Sequence, residues 1–167
     1  MDYLTALRLC HEALAPRNYT EIGCRHGHSL ALSRAPAIGV DPDFEIKAQI
    51  EAPTRLYRLT SDAFFAAHYL TALHGDQADF AFIDAMHRAE FALRDFMNLE
   101  RSASRRSVIA IDDILPEEIA FSSRERATIK WTGDVYKLIP ILRRYRPDLR
   151  VAVCAIEMKG LALVDAE

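Results

Sequence analysis

The segment Glu21-Ile-Gly23-Cys-Arg-His-Gly27-His-Ser29 places an acid, two glycines four residues apart and a small hydroxyl residue close together. Glycines at that spacing allow a turn in which the backbone approaches a ligand closely. A helix starting at Ser29 would point its N–H groups at whatever lies there. Asp41 follows fourteen residues after Gly27, and a carboxylate at the tip of a second strand can bind both hydroxyls of a ribose. Glu21 then selects among ribose-bearing ligands. Against the pyrophosphate of a dinucleotide, two like charges about 4 Å apart cost roughly 4 kcal/mol at an effective dielectric of about 20, and the glycines do not form GxGxxG. Beside the ammonium and sulfonium of S-adenosylmethionine the same acid is favourable. The expected cofactor is therefore S-adenosylmethionine, with Glu21, Gly23, Gly27, Ser29 and Asp41 around it. The plainer alternative is a solvated strand-end acid and two glycines that only turn the chain.

A second group is acidic. Asp84 ends the run Phe82-Ile-Asp-Ala-Met-His87, and Asp112-Asp113 ends Ile111-Asp-Asp-Ile. On neighbouring strand ends these three carboxylates would raise one another's pKa values unless a cation sat between them. Oxygen donors alone select a hard ion such as Mg²⁺, Mn²⁺ or Ca²⁺. Asp84, Asp112 and Asp113 are the expected metal residues, and Asp84 also borders the cofactor. His87, three residues after Asp84, could take a proton from a substrate hydroxyl whose pKa the metal lowers. Asp84 and His87 form the expected catalytic pair. The alternatives are a surface or capping histidine and capping or turn acids.

The elements that must carry these residues alternate. Helices are expected over 3–14, 29–33, 44–51, 63–73, 88–99 and 135–145, the last kinked at Pro140. Short strands are expected over 19–23, 37–41, 56–60, 79–84 and 107–113, the last two almost wholly apolar, as in a sheet covered on both faces. A final pair, 150–156 and 161–164, flanks a turn at Met158-Lys-Gly160. So few residues cannot make a parallel crossover, so the pair must be an antiparallel hairpin. The order gives an α/β, doubly wound parallel sheet. The 167 residues suit one domain over 1–167, 50% hydrophobic and 27% charged. Against 21 Lys+Arg stand 24 Asp+Glu, which argues against a nucleic-acid partner. No apolar run suits a membrane span, and the N-terminal stretch does not read as a signal peptide. Three scattered cysteines fit a reducing cytoplasm.

On these residues the chain resembles the class I S-adenosylmethionine-dependent methyltransferases over nearly its whole length. The resemblance implies a Rossmann-like seven-stranded sheet in the order 3-2-1-4-5-7-6 with strand seven antiparallel. It places Gly23 and Gly27 beside the methionine part, Asp41 on the ribose, and Ser61 and Asp62 near the adenine. An N-cap for the helix at 63–73 is a compatible role for Asp62. F-I-D-A-x-H at 82–87, I-D-D at 111–113 and W-T-G-D-V at 131–135 are most similar to the metal-dependent sugar and macrolide O-methyltransferases. The catechol-type enzymes carry Asp-Asn where this chain has Asp112-Asp113.

The resemblance implies methyl transfer to a hydroxyl oxygen of a small molecule, a sugar or a phenol. Trp131 could stack on that substrate or act as a hydrophobic staple, with Thr132 or Asp134 capping the helix near 135. Only about 18 residues precede the first strand, so a substrate lid is expected from residues 114–134 or from a second subunit in a homodimer. A catalytically silent cofactor- or nucleoside-binding subunit of a larger assembly is the alternative. A dinucleotide-dependent oxidoreductase is a weaker one.

Overall fold

Phe80 and Phe82 point to one face of their strand while Ala81 and Ile83 point to the other, and all four are buried. A strand with apolar residues on both faces must lie inside a two-sided sheet. The computed structural model, which describes residues 1–156 and 159–166, has that sheet. Its strands are β1 (Tyr19–Ile22), β2 (Ala37–Val40), β3 (Thr54–Tyr57), β4 (Ala78–Ile83), β5 (Ala103–Asp112), β6 (Leu149–Cys154) and β7 (Leu161–Ala166). They are ordered β3-β2-β1-β4-β5-β7-β6. The pairs from β3 through β5 are parallel, and β7 runs antiparallel to both β5 and β6. This is the Rossmann-like methyltransferase order expected from the sequence. Met158 of the expected turn lies outside the described residues.

The helices are α1 (Tyr3–Leu14), α2 (Ser61–Ala67), α3 (Leu70–His74), α4 (Ala89–Glu100) and α5 (Leu138–Tyr145). Phe64, Phe96, Leu99, Leu138 and Leu142 of α2, α4 and α5 pack with Ile22, Val40, Ile83 and Ile111 on one face. On the other face Ala6 and Leu7 of α1 and Leu30 meet Tyr19, Phe80, Phe82 and Ala110. Asp2 caps α1, its Oδ1 accepting from the Thr5 N–H at 2.8 Å. No helix among the described residues is long and apolar enough to cross a membrane.

Four expected helices change, each where tertiary contacts outcompete local periodicity. Residues 44–51 form no helix. Their N–H groups serve the first turn instead: Glu45 donates to the Arg25 carbonyl at 2.9 Å, and Lys47 and Ala48 donate to that of His26. The expected 63–73 helix is two pieces, α2 and α3. His68 is extended between them, and its ring packs on Tyr57 and Phe64 at 5.0 and 5.2 Å. Residues 29–33 shorten to a single 3₁₀ turn, Leu30–Leu32, before the extended approach to Pro36. The 135–145 helix begins as a 3₁₀ turn, Val135–Lys137, and becomes α-helical at Leu138. Pro140 therefore sits in the first turn of α5, where its missing N–H matters least.

Candidate functional site

The carboxyl ends of β1, β2, β4 and β5 open into a cavity of about 920 Å³. Ligands bind at this end of doubly wound sheets. The turn after β1 forms one wall. Gly23 has φ 91°, and a Cβ there would lie 2.0 Å from the Asp84 carbonyl oxygen. No other residue fits, so this glycine sets how closely the turn packs on the end of β4. Asp41, at the tip of β2, lines the cavity. Its Oδ2 accepts from the Arg25 N–H at 2.9 Å and its Oδ1 from the Asp43 N–H at 2.7 Å. Thr60, Ser61 and Asp62 form the next stretch of wall. Thr60, not Asp62, caps α2, its Oγ1 accepting from the Ala63 N–H at 3.2 Å. The Asp62 carboxylate pairs with Arg94 at 2.9 Å.

Three of the residues expected around the cofactor stand behind that wall. Gly27 faces Ile46 and Ile50. Glu21 is fully buried and accepts from the Tyr19 hydroxyl at 2.7 Å and from Ser29 Oγ at 2.6 Å. None of Glu21, Gly27 and Ser29 lines the cavity. Burial pushes the Glu21 carboxyl up to about 8, against the pull of its two hydrogen bonds. The unfolded chain is ionised from about pH 4.5 while the folded chain holds its proton to about pH 8, so this group removes stability as pH rises across that window. Glu21→Gln should therefore flatten the decline in thermal stability between pH 5 and 8 relative to the parent protein. Parallel profiles for the two proteins would show that Glu21 is ionised throughout.

The acids gather at the opposite wall. Asp113 takes φ 63° as β5 ends, a conformation that Asp tolerates. Asp84, His87 and Asp113 each offer a ligand atom within 4.8 Å of the others. Asp112 does not join them. Its carboxylate is buried and paired with the Lys159 ammonium, which also lies 3.7 Å from Asp113. Burial outweighs that ammonium and pushes Asp112 up to about 7. It also pushes Asp113 well above its ordinary range, with the Asp112 charge adding to the effect. The surrounding carboxylates in turn hold Lys159 protonated.

His87 sits where α4 begins. Its Nδ1 lies 2.9 Å from the Trp131 carbonyl oxygen and 3.0 Å from Asp113 Oδ2. A carbonyl oxygen can only accept, so the Trp131 contact assigns the proton to Nδ1, and Nε2, 3.7 Å from Asp84, keeps its lone pair. Burial lowers the imidazole's pKa from its ordinary value, which keeps it neutral. The Trp131 ring stacks on the imidazole at 4.9 Å and 8°, and its Nε1 donates to the Ser123 carbonyl at 2.6 Å. One face of Trp131 thus supports His87, while the residue also lines the cavity. Gly133 makes the contact feasible, since a Cβ there would meet the His87 carbonyl oxygen at 1.6 Å. Asp134 caps α4, accepting from the Ala89 N–H at 2.8 Å, and is itself held by Arg124 and Lys137. Residues 126 and 129–132 wall the cavity from within the same chain.

Lys159 was not anticipated from sequence. The signal was the hairpin register: Asp112 pairs with Leu161, which brings residue 159 beside the paired acids. Arg25 and Met86 also line the cavity unanticipated, while Arg126, Ile129 and Lys130 line it from within the 114–134 segment expected to cover the substrate. A smaller hollow of about 210 Å³ lies at the amino end of β5 and holds none of these residues.

Residues 20–114, more than half of the chain, match the family model described as a methyltransferase domain. Among curated proteins none matches in sequence. Solved structures match in fold. An O-methyltransferase from Bacillus cereus in complex with SAH superposes with a TM-score of 0.66 at 15% identity, over 98% of this chain and 80% of that one. The SAH-bound methyltransferase PaMTH1 of Podospora anserina gives 0.63 at 14%, over 98% and 77%. The O-methyltransferase TomG of Streptomyces achromogenes, involved in tomaymycin synthesis and in complex with SAM, gives 0.60 at 13%, over 98% and 78%.

Proposed function

Because the chain belongs to the methyltransferase domain family, we propose that it transfers a methyl group from S-adenosylmethionine to a hydroxyl oxygen of a small molecule. The observation that carries this reading is the placement of the His87 imidazole, its Nδ1 2.9 Å from the Trp131 carbonyl oxygen and its Nε2 facing the cavity's acidic wall. S-adenosylmethionine, when bound, supplies the activated methyl group and leaves as S-adenosylhomocysteine (SAH). The chain's own residues do the rest. Asp41 binds the ribose hydroxyls, Ser61 and Asp62 border the adenine, and the Gly23 turn lets the backbone approach the methionine part. His87 Nε2 takes the proton of the acceptor hydroxyl. The wall at 126–132 holds the acceptor in line and excludes water.

A hard divalent cation fits the acidic wall. Lys159 is the one ammonium paired with the Asp112 and Asp113 carboxyls among the described residues, and Asp113 Oδ1 is buried without a hydrogen-bond partner. Asp84 and Asp113 would hold the ion, a ligand count that suits Mg²⁺, with Asp112 behind them on Lys159. Its contribution, when bound, is to lower the pKa of the acceptor hydroxyl. A reducing cytoplasm suits the three cysteines, all free thiols.

Calorimetry of SAH binding tests this reading. The parent protein should bind at micromolar affinity. Asp41→Asn should weaken SAH binding by about 10- to 100-fold, the cost of disrupting charged hydrogen bonds to a ligand. No binding by the parent protein, or equal affinity in Asp41→Asn, would overturn the assignment of this cavity to the cofactor.

A further inference from the structure

The charges lining the cavity are not evenly placed. On the wall built from β1, β2 and the start of α2 stand Asp41, Asp43, Glu45 and Asp62, with Arg25 the one arginine or lysine among them. That wall suits a ligand carrying positive charge. Across from it, beyond the Asp84 and Asp113 carboxylates beside His87, the stretch 126–132 contributes Arg126, Ile129, Lys130, Trp131 and Thr132, with no acid among its own lining residues.

The cations on that segment have different uses. Arg124, on the same loop, is taken up by Glu90 and Asp134. Arg126 and Lys130 have no carboxylate partner among the described residues; Lys130 only overlies the Phe121 ring, at 5.9 Å. Both line the cavity on the His87 side, and the Arg126 charge is close enough to be felt by the imidazole.

A second feature shares this wall. Ile129 is 92% exposed and Met86 50% exposed, and both line the cavity. Ile129 and Met86 together give this wall apolar area that would gain from contact with an apolar body. The neighbouring cations would gain from an anion on that same body.

Resting on the methyl-transfer reading above, we propose that the acceptor is an amphiphilic anion. It is a hydroxyl-bearing apolar or aromatic ring that carries a carboxylate or phosphate. Ile129, Met86 and the edge of Trp131 hold the ring, Arg126 and Lys130 hold the anionic group, and the hydroxyl reaches His87. Neutral sugars and simple phenols lack the charge that this wall recognises.

The test uses matched probes on the full chain, with calorimetry in low salt, run with and without SAH. The carboxylate arm compares 4-hydroxybenzoate with 4-hydroxybenzamide. The phosphate arm compares 4-hydroxyphenyl phosphate with hydroquinone. In at least one arm the anion should bind about tenfold tighter than its neutral partner, the combined effect of two partly exposed charge contacts. The arm with the larger ratio identifies the anionic group. Arg126→Gln with Lys130→Gln should abolish that preference while leaving SAH affinity unchanged. Equal or absent binding of anion and neutral partner in both arms overturns the proposal. So does a preference that survives in the double variant. Failure of SAH to bind would instead strike the cofactor reading, and the runs without SAH keep the two failures distinct.

Discussion

Lys159→Met is expected to destabilise the fold by about 3–5 kcal/mol at pH 8, the usual cost of removing one partner from a buried ion pair. Asp112 is wholly buried and Asp113 nearly so, and Lys159 is the one cation paired with either among the described residues. Asp112 and Asp113 are already pushed upward by burial, Asp112 to about 7 with the ammonium present. Folded-state pKa values raised above the unfolded ones mean that stability falls as pH rises through that interval. Losing the ammonium steepens this fall, so the deficit should be largest at pH 8 and shrink toward pH 5. Urea unfolding at both pH values measures it. Lys159→Arg, which keeps the charge, should recover most of the loss. Added Mg²⁺ should recover part of it if Asp84 and Asp113 hold the ion. A deficit below about 1 kcal/mol at both pH values would mean that the ammonium does not sit among the acids.

His87→Gln is expected to lower the methyl-transfer rate by about 10²- to 10⁴-fold, the range for loss of a positioned general base. SAH affinity should stay within about twofold. Glutamine fills a similar volume and can still donate toward the Trp131 carbonyl oxygen, but it offers no basic nitrogen near pH 7. In the parent protein the imidazole pKa is lowered by burial. The base is then fully available at neutral pH, and the rate should fall only as pH drops below the ordinary histidine range near 6.5. The variant's residual rate should lose this acidic limb. A variant that keeps the parental rate and profile would remove His87 from proton transfer and leave it as a support for Trp131.

Much of the site was legible because it lies at strand ends. Asp41, Asp84 and the Asp112-Asp113 pair each follow a short apolar run, and the acid marks where the buried run of a two-sided sheet stops. The doubly wound order then brings those stops to one edge. Gly23 was legible for a related reason, since a glycine directly after an apolar strand marks a place where only backbone fits. Glu21 shows the limit of that argument. It is one residue from the end of β1, and the pleat alone turned it away from the cavity and toward Tyr19 and Ser29. Residues 44–51 show another limit. Their helical spacing is real, but the carbonyls of Arg25 and His26 took their N–H groups.

Strand sequence, the two-sided core, the closing hairpin and the acid at each strand tip were determined by the amino-acid sequence itself, because each depends on local pattern and chain direction. The partner of each acid was decided only by tertiary structure. Lys159 meets Asp112 through an antiparallel register, Trp131 meets His87 across 44 residues of chain, and Asp134 caps a helix that begins 45 residues before it. Such contacts depend on side-chain reach across packed elements, and no spacing along the chain encodes them.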